Sequence, residues 1–177
     1  MQNFDILKSQ YTPTVQRIID ENKKFYNIDG NIEWEFFENE DTAIFAYHKG
    51  LKMYLNIRSV IRSFANEQPK LVEYFIIHEI RHILQHIIIA NDSNNANSPL
   101  FEFARQCDYE FKHYINMKDN LYAYYDQEVE YDAYTYAYAV ILYKYGKLDY
   151  IDKPSFYGDE FCDRVHRWVE NFKSKNL

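Results

Sequence analysis

The sequence predicts an α+β fold: an N-terminal helix, a small antiparallel three-stranded sheet, a central helix and several C-terminal helices. Short segments in the N-terminal third alternate apolar and charged residues, whereas later segments repeat apolar residues at helical spacing. Only four glycines and four prolines interrupt 177 residues that are 47% hydrophobic and 19% aromatic. Such a chain can bury one core, and we expect a single domain over residues 1–177.

The first predicted helix spans residues 13–27. Thr12 followed by Pro13 is typical of a helix start, because proline is favoured in the first turn. Asp29-Gly30 predicts a turn after this helix.

Three strands are expected to follow this turn. Residues 32–36 alternate apolar and charged side chains, as a half-buried strand does. Two further strands are predicted at 42–48 and 51–57, joined through a turn at Lys49-Gly50. We expect the three to form an antiparallel sheet.

The central helix is predicted from Pro69 to about Ala90. Proline favours the first turn, and apolar residues then cover nearly every side of the segment, which is typical of a buried helix. A polar loop at 91–98 and further helices at 99–117, 125–145 and 157–174 complete the prediction.

Composition excludes several classes of function. The net charge of −7 is spread along the chain without a block of like charges, so we expect no nucleic-acid partner. Residues 1–8 do not resemble a secretory signal, and no apolar run approaches the roughly 20 residues that a membrane span needs. Cys107 and Cys162 match no metal-binding spacing and are interpreted as ordinary thiols. We expect a cytoplasmic protein without a membrane partner.

The central helix contains the segment His78-Glu79-Ile80-Arg81-His82, an HExxH pattern. Residues four apart lie on the same face of a helix, so His78 and His82 can bind one tetrahedral zinc ion. Glu79 then lies beside the metal and can deprotonate a zinc-bound water. We predict one Zn²⁺ per chain with Glu79 as the general base.

Two other interpretations of these histidines are less consistent with burial and helix geometry. The three residues could form an ordinary polar stripe, but a helix that is buried on most sides makes unpaired titratable groups costly. His86 continues the spacing of four, yet it lies about 12 Å along the axis from His78, which is too far for one ion. We interpret His86 as a helix-exit residue or an outer neighbour of the site.

A third ligand is expected near the start of the helix at 125–145. Glu128 and Asp132 are four apart and share a face, so one carboxylate could bind zinc while the other accepts an N–H from a ligating histidine. Glu130 lies on a different face. A solvated acidic first turn, favoured by the helix dipole, is the alternative interpretation.

These two motifs resemble those of the gluzincins, zinc metallopeptidases that combine HExxH with a downstream glutamate. The chain is most similar to the soluble ImmA/IrrE group, and the CAAX-processing and HtpX-type membrane proteases share the pattern; the likeness runs from Lys52 to Ala137. It implies a zincin-like fold and peptide-bond hydrolysis of a protein or peptide substrate. It also implies Glu128 as the third zinc ligand and Asp132 as its supporting carboxylate. In gluzincins the strand before the active-site helix binds the substrate, which suggests residues 52–57.

The sequence is also compatible with two other functions. Glu79-x-x-His82 and Glu110-x-x-His113 satisfy the Glu-x-x-His rule of ferritin-like di-metal carboxylate oxidoreductases, but the further helical glutamates of that class are not evident. The other alternative is a non-catalytic zinc-binding interaction module, against which the presence of Glu79 argues.

Overall fold

The computed structural model describes residues 4–26, 28, 31–146 and 158–177. Within these residues it contains seven helices and a three-stranded sheet, which confirms the α+β class. The elements are, in order, α1 (Phe4–Tyr26), β1 (Glu33–Phe37), β2 (Ala46–Lys49), β3 (Lys52–Asn56), α2 (Ile57–Ala65), α3 (Pro69–Asp92), α4 (Phe101–Lys112), α5 (Leu121–Asp126), α6 (Glu128–Tyr145) and α7 (Asp159–Ser174). The predicted turn at Asp29-Gly30 lies outside the described residues.

Helix α1 begins at Phe4, so the predicted start at Thr12-Pro13 is wrong. Pro13 lies inside the helix, where its missing N–H costs one hydrogen bond. Contacts with α2 stabilise the turns before it: the Arg58 guanidinium lies 4.6 Å from the Phe4 ring centre, and the Tyr11 ring packs on Phe64. No helix is predicted between the third strand and Pro69, so neither α2 nor this extension of α1 was expected.

The sheet is mixed, which corrects the prediction of an antiparallel one. Its strand order is β1-β3-β2, with β3 parallel to β1 and antiparallel to β2. Residues 38–45 carry the chain from β1 to the opposite edge, so the β2–β3 hairpin places β3 in the middle. The buried Asn56 amide donates to the carbonyls of Asn39, Asp41 and Ile44 and so fixes this crossing.

The position of β3 also overturns the expected substrate strand. Residues 52–56 are paired on both sides, and Ile57 already belongs to α2, for which Asn56 is the N-cap. A central strand has no unpaired backbone groups to offer a peptide. Strand β2, which pairs with β3 alone among the described residues, is an edge of the sheet.

Helix α3 confirms the predicted central helix and its start at Pro69. It packs against α1, α2, α4, α6 and the sheet, and its middle turns are buried on all sides. Of the described helices, none is long and apolar enough to cross a membrane.

The C-terminal helices differ from their predicted bounds. The single helix expected at 125–145 is divided into α5 and α6 at Gln127, whose backbone is extended. The Gln127 side chain bonds both the N–H and the carbonyl of Ile115, which fixes the break against the preceding loop. Helix α6 ends at Tyr145 and is capped by Gly146, whose φ of 69° lies in the left-handed region that favours glycine.

Candidate metal centre

His78 and His82 lie one turn apart on the side of α3 that faces α6. Both are buried, and their Nε2 atoms lie 3.1 Å from each other. The spacing of four therefore brings the two imidazoles to one point, as the sequence predicts.

Glu130 of α6 brings a carboxylate to the same point. Its Oε2 lies 3.4 Å from Nε2 of His78, its Oε1 lies 3.4 Å from Nε2 of His82, and the side chain is 1% exposed. Zinc ligands at bond lengths of about 2.0–2.1 Å on a tetrahedron lie about 3.3 Å from one another. The separation between the two nitrogens, and that from each nitrogen to its nearer Glu130 oxygen, are close to that value.

The hydrogen bonds of Gln85 determine which nitrogen of His82 faces Glu130. The Gln85 amide nitrogen donates to the Val129 carbonyl and to Asp132, so its Oε1 is free to accept from Nδ1 of His82 at 2.8 Å. With its proton on Nδ1, neutral His82 presents a lone pair on Nε2 to a carboxylate. A lone pair and a carboxylate repel unless a cation lies between them, so this donor set suits a metal ion.

Two tyrosines hold the Glu130 carboxylate in place. Tyr114 donates to Oε1 and Tyr124 donates to Oε2, the latter at 2.7 Å. Burial raises the pKa of Glu130, but the adjacent His82 and His78 imidazoles lower it well below its ordinary value. Glu130 is therefore ionised, as a metal ligand must be.

Glu79 opens into the same cavity from the next position on α3. Its Oε2 lies 3.2 Å from Nδ1 of His48, which β2 supplies. Burial raises the pKa of Glu79, but the hydrogen bond from His48 and the nearby His78 and His82 imidazoles outweigh it, so the pKa is lowered overall. The cavity measures about 370 Å³. Glu79 is thus an ionised carboxylate beside the candidate ligands.

A second set of ligand atoms overlaps the first. Atoms of His48, Glu79 and His82 lie within 4.8 Å of one another, as do those of His78, His82 and Glu130. His82 has one lone pair on Nε2 and cannot serve two ions at once, since its Nδ1 is bonded to Gln85. The set with Glu130 is the more deeply buried and leaves Glu79 for other chemistry.

The structure does not bring Glu128 to the histidines, which corrects the predicted third ligand. Glu128 accepts from Nη1 of Arg164 at 2.5 Å and Nη2 at 3.3 Å on the other side of α6. Successive residues turn by about 100°, so Glu128 and Glu130 point about 200° apart and only one can face α3. Because α6 is buried on nearly every side, its apolar pattern gave no sign of which face that would be.

Asp132 supports the site less directly than predicted. It accepts from Nε of Arg81 at 2.7 Å and from Gln85 at 2.8 Å, and it reaches His82 through the Gln85 amide. Gln85 was missed. Its position three residues after His82 on the same buried face was the signal that could have identified it.

Replacing Asp132 by Asn is expected to lower the unfolding free energy by about 3–5 kcal/mol, because buried Arg81 loses its charge partner. Zinc affinity should fall by less than about tenfold, since the Val129 carbonyl still holds Gln85. Urea unfolding and zinc titration measure the two effects. Asp108→Asn, which removes a surface pair with Lys112, is the control and should cost less than about 1 kcal/mol. Equal losses in the two variants would contradict this role for Asp132.

The other histidine motifs lie outside both sets of ligand atoms. Glu110 accepts from the Val129 N–H at the start of α6, and exposed His113 stacks on Tyr109. These contacts leave the second half of a ferritin-like di-metal site unassembled. His86 lines the cavity and stacks on Phe111. Burial and the neighbouring His48 and His82 imidazoles lower the pKa of His86 to about 4.

Comparisons with known proteins give no relative from which to transfer a function. No protein-family model, curated protein or solved structure matches the chain. Any function assigned to this site therefore depends on its own geometry.

Proposed function

We propose that the chain is a zinc-dependent peptidase in which His78, His82 and Glu130 bind one zinc ion and Glu79 is the general base. One observation supports this most strongly. The buried Nε2 atoms of His78 and His82 lie 3.1 Å apart, and each lies 3.4 Å from a different oxygen of the Glu130 carboxylate. These separations are close to those between the ligands of a tetrahedral zinc ion, and Glu79 opens into the same cavity.

The chemistry follows from the roles that these side chains can take. Zinc at this site would polarise a substrate carbonyl and lower the pKa of water. Ionised Glu79 takes a proton from the attacking water and later returns it to the leaving amine. His48 orients this carboxylate through the hydrogen bond to Oε2, and the Tyr114 and Tyr124 hydroxyls keep Glu130 in its ligating position.

The shape of the surrounding surface favours an extended peptide as substrate. Residues of edge strand β2 line the cavity beside Glu79, so a peptide can pair with the unpaired edge of β2. A second cavity of about 720 Å³ adjoins the first and shares His78, Glu79, Tyr114 and Tyr124 with it. Its walls include the Phe45, Phe75 and Tyr134 rings, so it accepts a large apolar side chain next to the scissile bond.

Hydrolysis of an unstructured protein tests this function. The zinc-loaded chain is incubated with a mixture of unstructured peptides, and fragments are read by mass spectrometry. We expect cleavage that a chelator abolishes and that added zinc restores, with none from His78→Ala, which loses metal and activity together. Cleavage that persists with the chelator and in His78→Ala would contradict the proposal.

A further inference from the structure

A second candidate binding site lies on the other side of α3 and α6 from the candidate metal centre. There α7 and the start of α4 border an open cavity of about 460 Å³, within the range of small-molecule sites. Its polar lining consists mainly of charged groups: Arg81, Arg164, Arg167, Glu128 and Asp132. It therefore contains Glu128 and Asp132, the acidic pair that the sequence suggested for zinc.

The charges in this cavity do not cancel. Glu128 is engaged by Arg164, and Asp132 by Arg81, so both carboxylates are already paired. Arg167 lines the cavity, is exposed, and has no ion-pair partner among the described residues. Three guanidinium groups against two carboxylates leave one positive charge in excess.

A hydrogen-bond donor is also available on Arg81. Within the described part of the chain its Nε and Nη2 bond Asp132, which leaves Nη1 without a partner. The Tyr136 and Trp168 rings lie 4.7 and 5.0 Å from its guanidinium carbon, so the group is held rigidly. A preorganised arginine loses little entropy when it binds an oxyanion.

The remaining walls are apolar. Ile88, Leu100, Phe103 and the Trp168 ring line the cavity beside the arginines. An apolar body can therefore pack against these side chains while an anionic head group contacts Arg167 and Arg81. A divalent cation is disfavoured, because both carboxylates are paired with arginine.

We propose that this cavity binds a small anion, a carboxylate or phosphate group carried on an aromatic body, with Arg167 and Arg81 as the head-group contacts. The proposal does not depend on the peptidase activity, since none of these residues is a candidate zinc ligand. Carboxylate and phosphate share the recognition chemistry, and separate probes distinguish them.

Fluorescence of Trp168 provides the test. The chain has two tryptophans, so Trp34→Phe leaves Trp168 as the only one. This variant is titrated with benzoate, phenyl phosphate, acetate and uncharged benzamide, and the heat of binding is measured in parallel. We expect saturable binding of benzoate, phenyl phosphate or both at millimolar or lower concentration. Benzamide and acetate should bind at least about tenfold more weakly, because benzamide lacks the negative charge and acetate lacks the aromatic ring.

Two arginine variants provide the matched comparison. Adding Arg167→Gln should weaken binding about tenfold, the effect of one charge-assisted hydrogen bond. Arg105→Gln, an exposed arginine on α4 that does not line this cavity, should leave binding unchanged. Binding of benzoate alone or phenyl phosphate alone identifies the head group. Equal binding of benzamide, unchanged affinity in Arg167→Gln, or the absence of both a fluorescence change and a heat would overturn the proposal.

Discussion

Replacing Glu79 by Gln is expected to abolish most hydrolysis while the chain keeps its zinc. Glutamine has nearly the same shape, and its oxygen can still accept from His48, but it cannot take a proton from water. The loss of a general base typically lowers kcat by about 10²–10⁴-fold. Peptide cleavage rates and zinc content are measured on the same preparations, with the exposed Glu102→Gln on α4 as the control.

The outcome separates a catalytic site from a structural one. A variant that cleaves as fast as the parent would show that Glu79 is not the general base. Loss of zinc together with activity would mean that Glu79 is itself a metal ligand. In that case the ion would be bound by His48, Glu79 and His82, the second set of ligand atoms. If neither protein cleaves any peptide, the non-catalytic zinc-binding module becomes the better account.

The second large effect concerns the third ligand. Glu130→Gln is expected to weaken zinc binding by more than about 100-fold. Loss of a residue that only supports a ligand already lowers metal affinity by about 10–100-fold, and loss of the ligand itself should lower it further. Glu128→Gln, two positions earlier on the same helix, should keep full affinity and lose only the pair with Arg164. That pair is partly exposed and is worth about 1 kcal/mol or less.

Zinc titration with a competing chelator measures both variants, and circular dichroism verifies that they remain folded. The two changes are chemically identical, so a difference between them reports position alone. Zinc release from Glu128→Gln with retention in Glu130→Gln would restore the sequence-based assignment.

Local properties of the chain were predictable from the sequence. The start of α3 at Pro69 and the convergence of His78 and His82 follow from proline geometry and from a spacing of four residues. Neither depends on how distant segments pack. The helical character of residues 128–145 was evident for the same reason.

Properties that depend on tertiary contacts were not predictable. Helix α6 is buried on nearly every side, so its sequence could not show that Glu130, and not Glu128, faces α3. The pairing of β3 with β1 depends on the crossing that Asn56 fixes. His48 contacts Glu79 only because β2 lies beside α3, a contact across 31 positions that no local pattern indicates.

The central claim is that one zinc ion lies between α3 and α6, and anomalous diffraction at the zinc absorption edge tests it most directly. Crystals of the zinc-loaded chain should give a single peak per chain, about 2.0–2.1 Å from Nε2 of His78, Nε2 of His82 and an oxygen of Glu130. A peak held by His48 and Glu79, a pair of metal peaks per chain, or no peak from zinc-saturated protein would contradict the account.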